Sequence, residues 1–328
     1  MTIELVSLSE RLKAQAYGLG FDLAGIAELG EPDTVAQFDA WLAAGNAGSM
    51  HYLHEAGAAL RRDARLPHVG ATHALVVAMN YGGTEPSGPV ARYARGDDYH
   101  EVLRERLRQL HRWLEHETGQ SINARPYVDS GPVLERDLAQ RAGLGWFGKN
   151  TCLINPKHGS FLFLASLFIE FPLERDAPFG VDRCGTCTRC LDACPTGALT
   201  APHVLDANTC ISYLTIELRD AIPASLRAPI GELIYGCDIC QDVCPWNVRF
   251  SRELPPNSPF AARAMFVGKD ARTFAREILA MEPADYAAAF KGSAIKRAKL
   301  WMLQRNACVM LGNVGTAEDL PVLKALQS

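Results

Sequence analysis

Cys184-Gly-Thr-Cys187-Thr-Arg-Cys190-Leu-Asp-Ala-Cys194-Pro195 is the stretch that decides how this chain is read. Its spacing is C-x2-C-x2-C-x3-C-P, in which three closely spaced thiolates wrap three irons of a cubane. A helical turn carries the fourth cysteine away and the proline redirects it, so it ligates the other cluster of a pair. A second set is therefore required. Cys237-x2-Cys240-x3-Cys244-Pro245 repeats the end of the motif, and Cys210 is the only other cysteine of the segment. The expected ligand sets are Cys184, Cys187, Cys190 and Cys244 for one [4Fe–4S] cluster, and Cys210, Cys237, Cys240 and Cys194 for the other. Zinc is the structural alternative, but zinc sites prefer two C-x2-C knuckles separated by a longer loop.

Outward from this segment the composition is ordinary. The chain has 328 residues, 48% hydrophobic and 21% charged, with net charge −4, which excludes a disordered or fibrous class and a dominant basic field. Any nucleic-acid contact must then use a local patch. Eight of the ten cysteines lie between Cys184 and Cys244, as expected of metal ligands in a reducing compartment. The longest apolar run, Phe161 to Ile169, is too short to cross a bilayer. The start, MTIELVSLSERLKAQ, has helical amphipathicity without the apolar core of a signal peptide. The expected setting is cytoplasmic, with no membrane partner.

Three regions are expected: 1–175, 176–260 and 261–328. In the first, apolar spacing predicts helices over Leu5–Leu19, Thr34–Ala44, Tyr99–Glu117 and Val133–Arg141. Strands are predicted over Phe21–Ala27, Thr72–Tyr81, Ala124–Val128 and Ser160–Ile169. The pattern implies an α/β or α+β layer domain. A boundary rich in proline and charge follows at Pro172–Asp182. The cysteine segment lacks long periodic elements, as when metal sites hold a chain together. The last region is helical, with Ala298–Leu311 and Leu320–Leu326 forming one HEAT-like hairpin.

Outside the cysteines, Gly143-Leu-Gly-Trp-Phe-Gly148 matches G-x-G-x-x-G, and Lys149 nearly completes a Walker A loop. Asn150 stands where that loop needs Ser or Thr, and the preceding stretch is helical rather than a strand, so a nucleotide fold is not expected. The glycines instead make a turn presenting Lys149, Asn150 and Thr151. Asp98-Tyr-His100 matches the start of D-x-H-x-x-G, a signature of cobalt coordination through histidine, but Leu103 occupies the glycine position. Asp129 falls at a strand-to-turn junction, suited either to a pocket acid or to a helix N-cap before Pro132 and Glu135. Arg104, Arg106, Arg108 and Arg112 are interleaved with glutamates and read as a solvated helix face. Lys291, Lys296, Arg297, Lys299 and Arg305 have few acidic neighbours in sequence and form the candidate phosphate-binding patch.

The combination resembles the epoxyqueuosine reductases, cobalamin-dependent enzymes of tRNA queuosine synthesis, over nearly the whole length. The resemblance is carried by Tyr93-Ala-Arg-Gly-Asp-Asp-Tyr-His100, Tyr127-Val-Asp-Ser-Gly-Pro-Val-Leu-Glu-Arg136 and Ala142-Gly-Leu-Gly-Trp-Phe-Gly-Lys-Asn-Thr151. The two cysteine runs, Cys210-Ile-Ser-Tyr-Leu-Thr-Ile-Glu217 and the final hairpin complete it. It implies an α+β architecture: an N-terminal α/β cobalamin-binding domain related to reductive dehalogenases, a ferredoxin-like domain with two [4Fe–4S] clusters, and C-terminal HEAT-like helices. It implies reduction of epoxyqueuosine to queuosine at the wobble position of tRNA, with electrons from an external one-electron donor relayed by the clusters. Asp129 matches the family's proton donor, and Lys149, Asn150 and Thr151 are expected beside the corrin or the substrate. Tyr93, His100, Ser160 and Ser212 are further candidates for the cofactor pocket, and Cys152 is expected to be a small buried residue. The chain is expected to be a monomer. The family pattern often continues past such a hairpin, whereas this chain stops at Ser328. Two competing readings are a corrinoid reductive dehalogenase acting on a small molecule and a ferredoxin-like carrier with an accessory domain. The missing export signal and the basic C-terminal residues argue against the first, and the long segment before the clusters against the second.

Overall fold

The computed structural model describes residues 7–83, 88–255 and 257–325. The first region contains, in order, α1 (Leu8–Gly18), β1 (Leu23–Glu28), α2 (Val35–Ala43), α3 (Glu55–Arg61), β2 (His73–Asn80), α4 (Tyr99–Thr118), β3 (Ala124–Tyr127) and α5 (Glu135–Arg141). A short hairpin of β4 (Trp146–Phe147) and β5 (Leu153–Ile154) and the long β6 (Leu162–Ile169) complete it. Every expected helix and strand of this region is present, with ends shifted by a few residues. The start of the first expected helix, at Leu5 and Val6, lies outside the described residues.

Strands β1, β2, β6 and β3 form one sheet in that order, and all three pairings are antiparallel. The apolar run of β2 is explained by coverage of both faces. Leu75, Val77 and Met79 meet α1 and α4 through Leu12, Ala16, Leu103, Leu107, Leu110 and Leu114. Ala74, Val76 and Ala78 meet α5 through Leu138 and Ala139. Side chains alternate along a strand, so the two sets separate cleanly. The α5 side packs close: a Cβ at Gly25 would lie 2.0 Å from the Ala142 carbonyl oxygen, so β1 requires glycine there.

Each cysteine run folds into a one-turn helix, α6 (Arg189–Asp192) and α9 (Ile239–Asp242), and the two pack against each other. Between them lie the hairpin β7 (Leu199–Ala201) and β8 (Val204–Leu205), then α7 (Ile211–Ile216) and α8 (Ala224–Arg227). After them come α10 (Pro245–Phe250), α11 (Ala271–Ala280), α12 (Pro283–Ala289), α13 (Leu300–Val314) and α14 (Leu320–Ala325). α11 packs on α13. Leu326, the end of the last expected helix, lies outside the described residues.

Packing runs across the regions. Phe260 and Ala294 enter the core of the first region. Val90, Ala94, Ile216, Ile234 and Tyr235 share a core with α11 and α13. A buried polar joint reinforces this: Gln241 Nε2 and Asn247 Nδ2 donate to Ser160 Oγ at 3.1 and 2.9 Å. Among the described residues, no helix is long and apolar enough to cross a membrane.

Candidate active site and cluster-binding thiols

The strand β3 ends at Tyr127, and the chain turns sharply through Asp129, which adopts a left-handed φ of 55°. This conformation is uncommon outside glycine and is tolerated best by Asn and Asp. Gly131 packs so closely on Tyr127 that a Cβ would stand 2.2 Å from the ring. The bend throws the Asp129 carboxylate toward the start of α4. There the Tyr99 hydroxyl donates to Asp129 Oδ2, and His100 Nε2 lies 3.8 Å from the same oxygen. The ring of His100 stacks on Tyr99 at 4.1 Å, and its Nδ1 is 2.7 Å from Asp98 Oδ1. Asp98 is also the N-cap of α4 through its bond from the His100 amide at 3.0 Å.

Of the two readings of Asp129, the N-cap one is excluded. The cap position of α5 is Leu134, with no side-chain cap bond. The contact runs the other way: the Asp129 amide donates to Glu135 Oε1 at 2.8 Å. Burial and the neighbouring Asp129 charge push the Glu135 carboxyl up to about 8. Burial, then the Asp129 charge, raise the Tyr99 phenol far above its ordinary range, so it stays a neutral donor. The Asp129 side chain itself remains 61% exposed, so the chain alone does not bury the acid.

Tyr99 and Glu135 were absent from the expected site. In sequence Glu135 is only a helix-start signal, and Tyr99 only a member of a motif. The Tyr99 hydroxyl reaches Asp129 because α4 runs back along β3, and both pack on β6, so the start of the helix meets the end of the strand.

The other expected pocket residues divide. Tyr93 is half-buried between Tyr99 and Tyr235, with ring centroids at 6.2 and 6.1 Å, and its hydroxyl faces that of Tyr235. Ser160 belongs to the buried polar joint with Gln241 and Asn247, and Ser212 bonds to the Cys210 thiol. Thr151, with φ of 64°, offers its carbonyl to Arg136 of α5, beside Glu135. Lys149 turns toward the cysteines, its Nζ donating to the Gly185 and Cys187 carbonyls at 2.6 and 3.0 Å. Asn150 Nδ2 donates to the Cys240 carbonyl at 3.3 Å. Lys149 and Asn150 thus clamp the cysteine loops, and Tyr93, Ser160 and Ser212 are likewise engaged within the protein.

The thiols assemble in two groups. Cys190 and Cys244 face Cys184, and Cys244 also faces Cys187. Cys210 and Cys237 face Cys194, and Cys240 faces both Cys237 and Cys210. All are free of disulfides. Burial pushes Cys237 up to about 12 and also raises Cys240 well above the ordinary thiol value. Thiolates at such positions call for bound cations, and the donor set fits iron–sulfur ligation. The indole N–H of Trp146 points at Cys184 Sγ at 3.4 Å, and Trp246 and Phe179 pack around that indole. The Cys152 thiol, next to Thr151, is pushed up to about 11 by burial and faces Cys244, Cys190 and Cys240, so it lies between the bend and both groups.

The basic segment also divides. Lys291, Lys296 and Lys299 are exposed and carry no side-chain ion pair among the described residues. Arg297 is paired with Glu217, at 2.8 and 2.9 Å, and stacks over Tyr52. Arg305 donates to the carbonyls of Leu214, Leu218 and Asp220 at 2.6–2.7 Å. It ties the end of α7 to α13.

A double set of cluster thiols, with an acid held at a strand end by Tyr99, defines an iron–sulfur oxidoreductase. Residues 183–247 match the 4Fe-4S double cluster binding domain, and residues 61–130 match the model Epoxyqueuosine reductase QueG, DUF1730. The chain is 42% identical to an epoxyqueuosine reductase of Xanthomonas campestris pv. campestris, over 97% of this chain and 90% of the relative. A crystal structure of an epoxyqueuosine reductase with an epoxyqueuosine-modified tRNA-Tyr stem loop superposes with TM-score 0.84 at 31% identity, over 97% of this chain and 84% of that one. An epoxyqueuosine reductase from Bacillus subtilis, with its catalytic aspartate loop swung out of the active site, gives TM-score 0.83 at 31% identity over 97% and 85%. The chain belongs to the epoxyqueuosine reductase family.

Proposed function

We propose that this chain reduces epoxyqueuosine to queuosine at the wobble position of tRNA, with Asp129 as proton donor. The observation that carries the reading is the proximity of the acid to the basic segment. The Asp98 amide, at the N-cap of the helix that presents Tyr99 and His100, donates to the Gly292 carbonyl at 2.9 Å, beside Lys291. Tyr52, under Arg297, lies within the field of Asp129. Lys291, Lys296 and Lys299 would meet tRNA phosphates while a nucleoside enters over Asp129.

Reduction of an epoxide to an alkene consumes two electrons and two protons and releases water. Cobalamin, when bound, supplies a strong nucleophile for an epoxide carbon, and the clusters supply one electron at a time. The protein's own part is to bind, orient and protonate. Asp129 donates to the departing oxygen, and the Tyr99 hydroxyl then stabilises the resulting carboxylate. His100 and Thr151, at the rim beside Asp129, are the residues we assign to holding the corrin. The two thiol groups, 184/187/190/244 and 194/210/237/240, are assigned as the ligand sets of the two clusters. In this reading 1–175 is the catalytic region, 176–260 the electron relay and 261–328 the RNA-facing support. An external one-electron donor feeds a monomer.

The test is anaerobic turnover of epoxyqueuosine-tRNA with added cobalamin. Asp129→Asn should abolish product while retaining the absorbance of both clusters. Wild-type turnover by the variant would remove Asp129 as the acid.

A further inference from the structure

Asp129 is held at two ends. Its carboxylate is tied to α4 by Tyr99, and its amide is tied to α5 by Glu135 Oε1 at 2.8 Å. The second tie matters because the bend is strained. A left-handed φ at a non-glycine residue is disfavoured by roughly 1–2 kcal/mol, and Asp129 adopts 55°. The amide makes no sheet bond, since β3 pairing with β6 stops at Tyr127. Without Glu135 that amide has no acceptor in the protein, and an extended backbone at Asp129 would carry the carboxylate away from Tyr99.

We propose that Glu135 is the positioning residue for Asp129, its carboxyl accepting the Asp129 amide and so keeping the 128–131 bend closed over the site. The consequence for turnover rests on Asp129 being the acid; the hold itself does not. The groups facing Glu135 are Asp129, Tyr99, Arg136 and Arg61. Burial and the Asp129 charge keep Glu135 neutral up to about pH 8. Below that pH it accepts the amide without opposing the carboxylate that Asp129 becomes on giving up its proton. Above it, two carboxylates share the bend, offset only in part by Arg61 and Arg136, and the hold weakens.

The test uses cluster- and cobalamin-loaded enzyme and two substitutions, Glu135→Ala and Glu135→Gln. Deuterium exchange over 128–131, corrected for intrinsic rates, should accelerate about tenfold or more in Glu135→Ala, with other segments and cluster absorbance unchanged. Its kcat should fall about tenfold with KM for a modified stem loop within about twofold. Glu135→Gln, which keeps the acceptor and cannot ionise, should restore protection and most of kcat. It should also abolish the loss of activity expected above pH 8 in the wild type. Unchanged exchange in Glu135→Ala, a Glu135→Gln variant as defective as Glu135→Ala, or persistence of the alkaline loss in Glu135→Gln would each overturn the proposal. An active Asp129→Asn would instead remove the acid while leaving the exchange result standing, so the two failures are distinguishable.

Discussion

At the residue scale, the donors that face Asp129 and Cys184 are the Tyr99 hydroxyl and the Trp146 indole. Tyr99→Phe removes the bond to the Asp129 carboxylate and little else, because the ring keeps its stack on Phe163 at 4.3 Å. A hydrogen bond to a charged group is worth about 1.5–3 kcal/mol. Single-turnover rates should therefore drop about 10- to 100-fold at unchanged thermal stability. Trp146 lies in sequence only as a member of the Gly143–Gly148 turn; in the fold its indole reaches Cys184 Sγ at 3.4 Å. Hydrogen bonds to cluster sulfurs raise the reduction potential. Trp146→Phe should lower the midpoint of that cluster by about 20–60 mV, the one-electron equivalent of a bond worth about 0.5–1.5 kcal/mol. Redox titration followed by EPR measures it, and a midpoint unchanged within a few millivolts would rule the bond out.

At the scale of elements, α4 was fully legible. Its leucines recur at helical spacing, and Leu103, Leu107, Leu110 and Leu114 are each 0% exposed. Leu110→Ala should cost about 2–5 kcal/mol of unfolding free energy, seen as a lower denaturant midpoint. The Gly143–Gly148 stretch was legible as a turn, but its partner was not. Lys149 and Asn150 reach the cysteine loops because β4 and β5 aim the bend between them at Cys187 and Cys240. No local pattern encodes that direction. Arg305 belongs at this scale too. Positive charge and sequence neighbours cannot distinguish a phosphate contact from a half-buried guanidinium closing the end of α7. Arg305→Ala should leave the Leu214, Leu218 and Asp220 carbonyls without their donor. It should lower thermal stability and loosen the Cys210 cluster, with stem-loop affinity kept within about twofold. A large affinity loss at full stability would return Arg305 to the RNA surface.

Across the whole molecule, the C-terminal helices grip the thiol-bearing segment. Asn306 of α13 donates to the carbonyls of Thr215 and Ile234, both at 2.8 Å, and is 1% exposed. The same region leaves Lys291, Lys296 and Lys299 exposed. Replacing all three by alanine should weaken stem-loop binding and reduce the slope of log affinity against log salt by roughly one for each phosphate no longer neutralised. Arg297→Ala should do less, because its guanidinium is already neutralised by Glu217. Binding isotherms at several salt concentrations separate the two, and equal slopes for the triple variant and wild type would exclude this face.

The sequence by itself determined what is local or covalently spaced. Cysteine intervals mark a double-cluster segment, apolar periods of 3.6 and 2 define α4 and β2, and net charge −4 excludes a dominant basic field. It also carried Asp129, because a carboxyl at a strand end beside a glycine bend is a sequence signal. Only the tertiary structure decided what faces that carboxyl. Tyr99 and Glu135 come from two helices on opposite faces of one antiparallel sheet and meet only where β3 ends. It likewise separated the exposed lysines from Arg305. Direction in space depends on which element packs on which, and a charge or hydroxyl gains its role from that packing rather than from its neighbours in the chain.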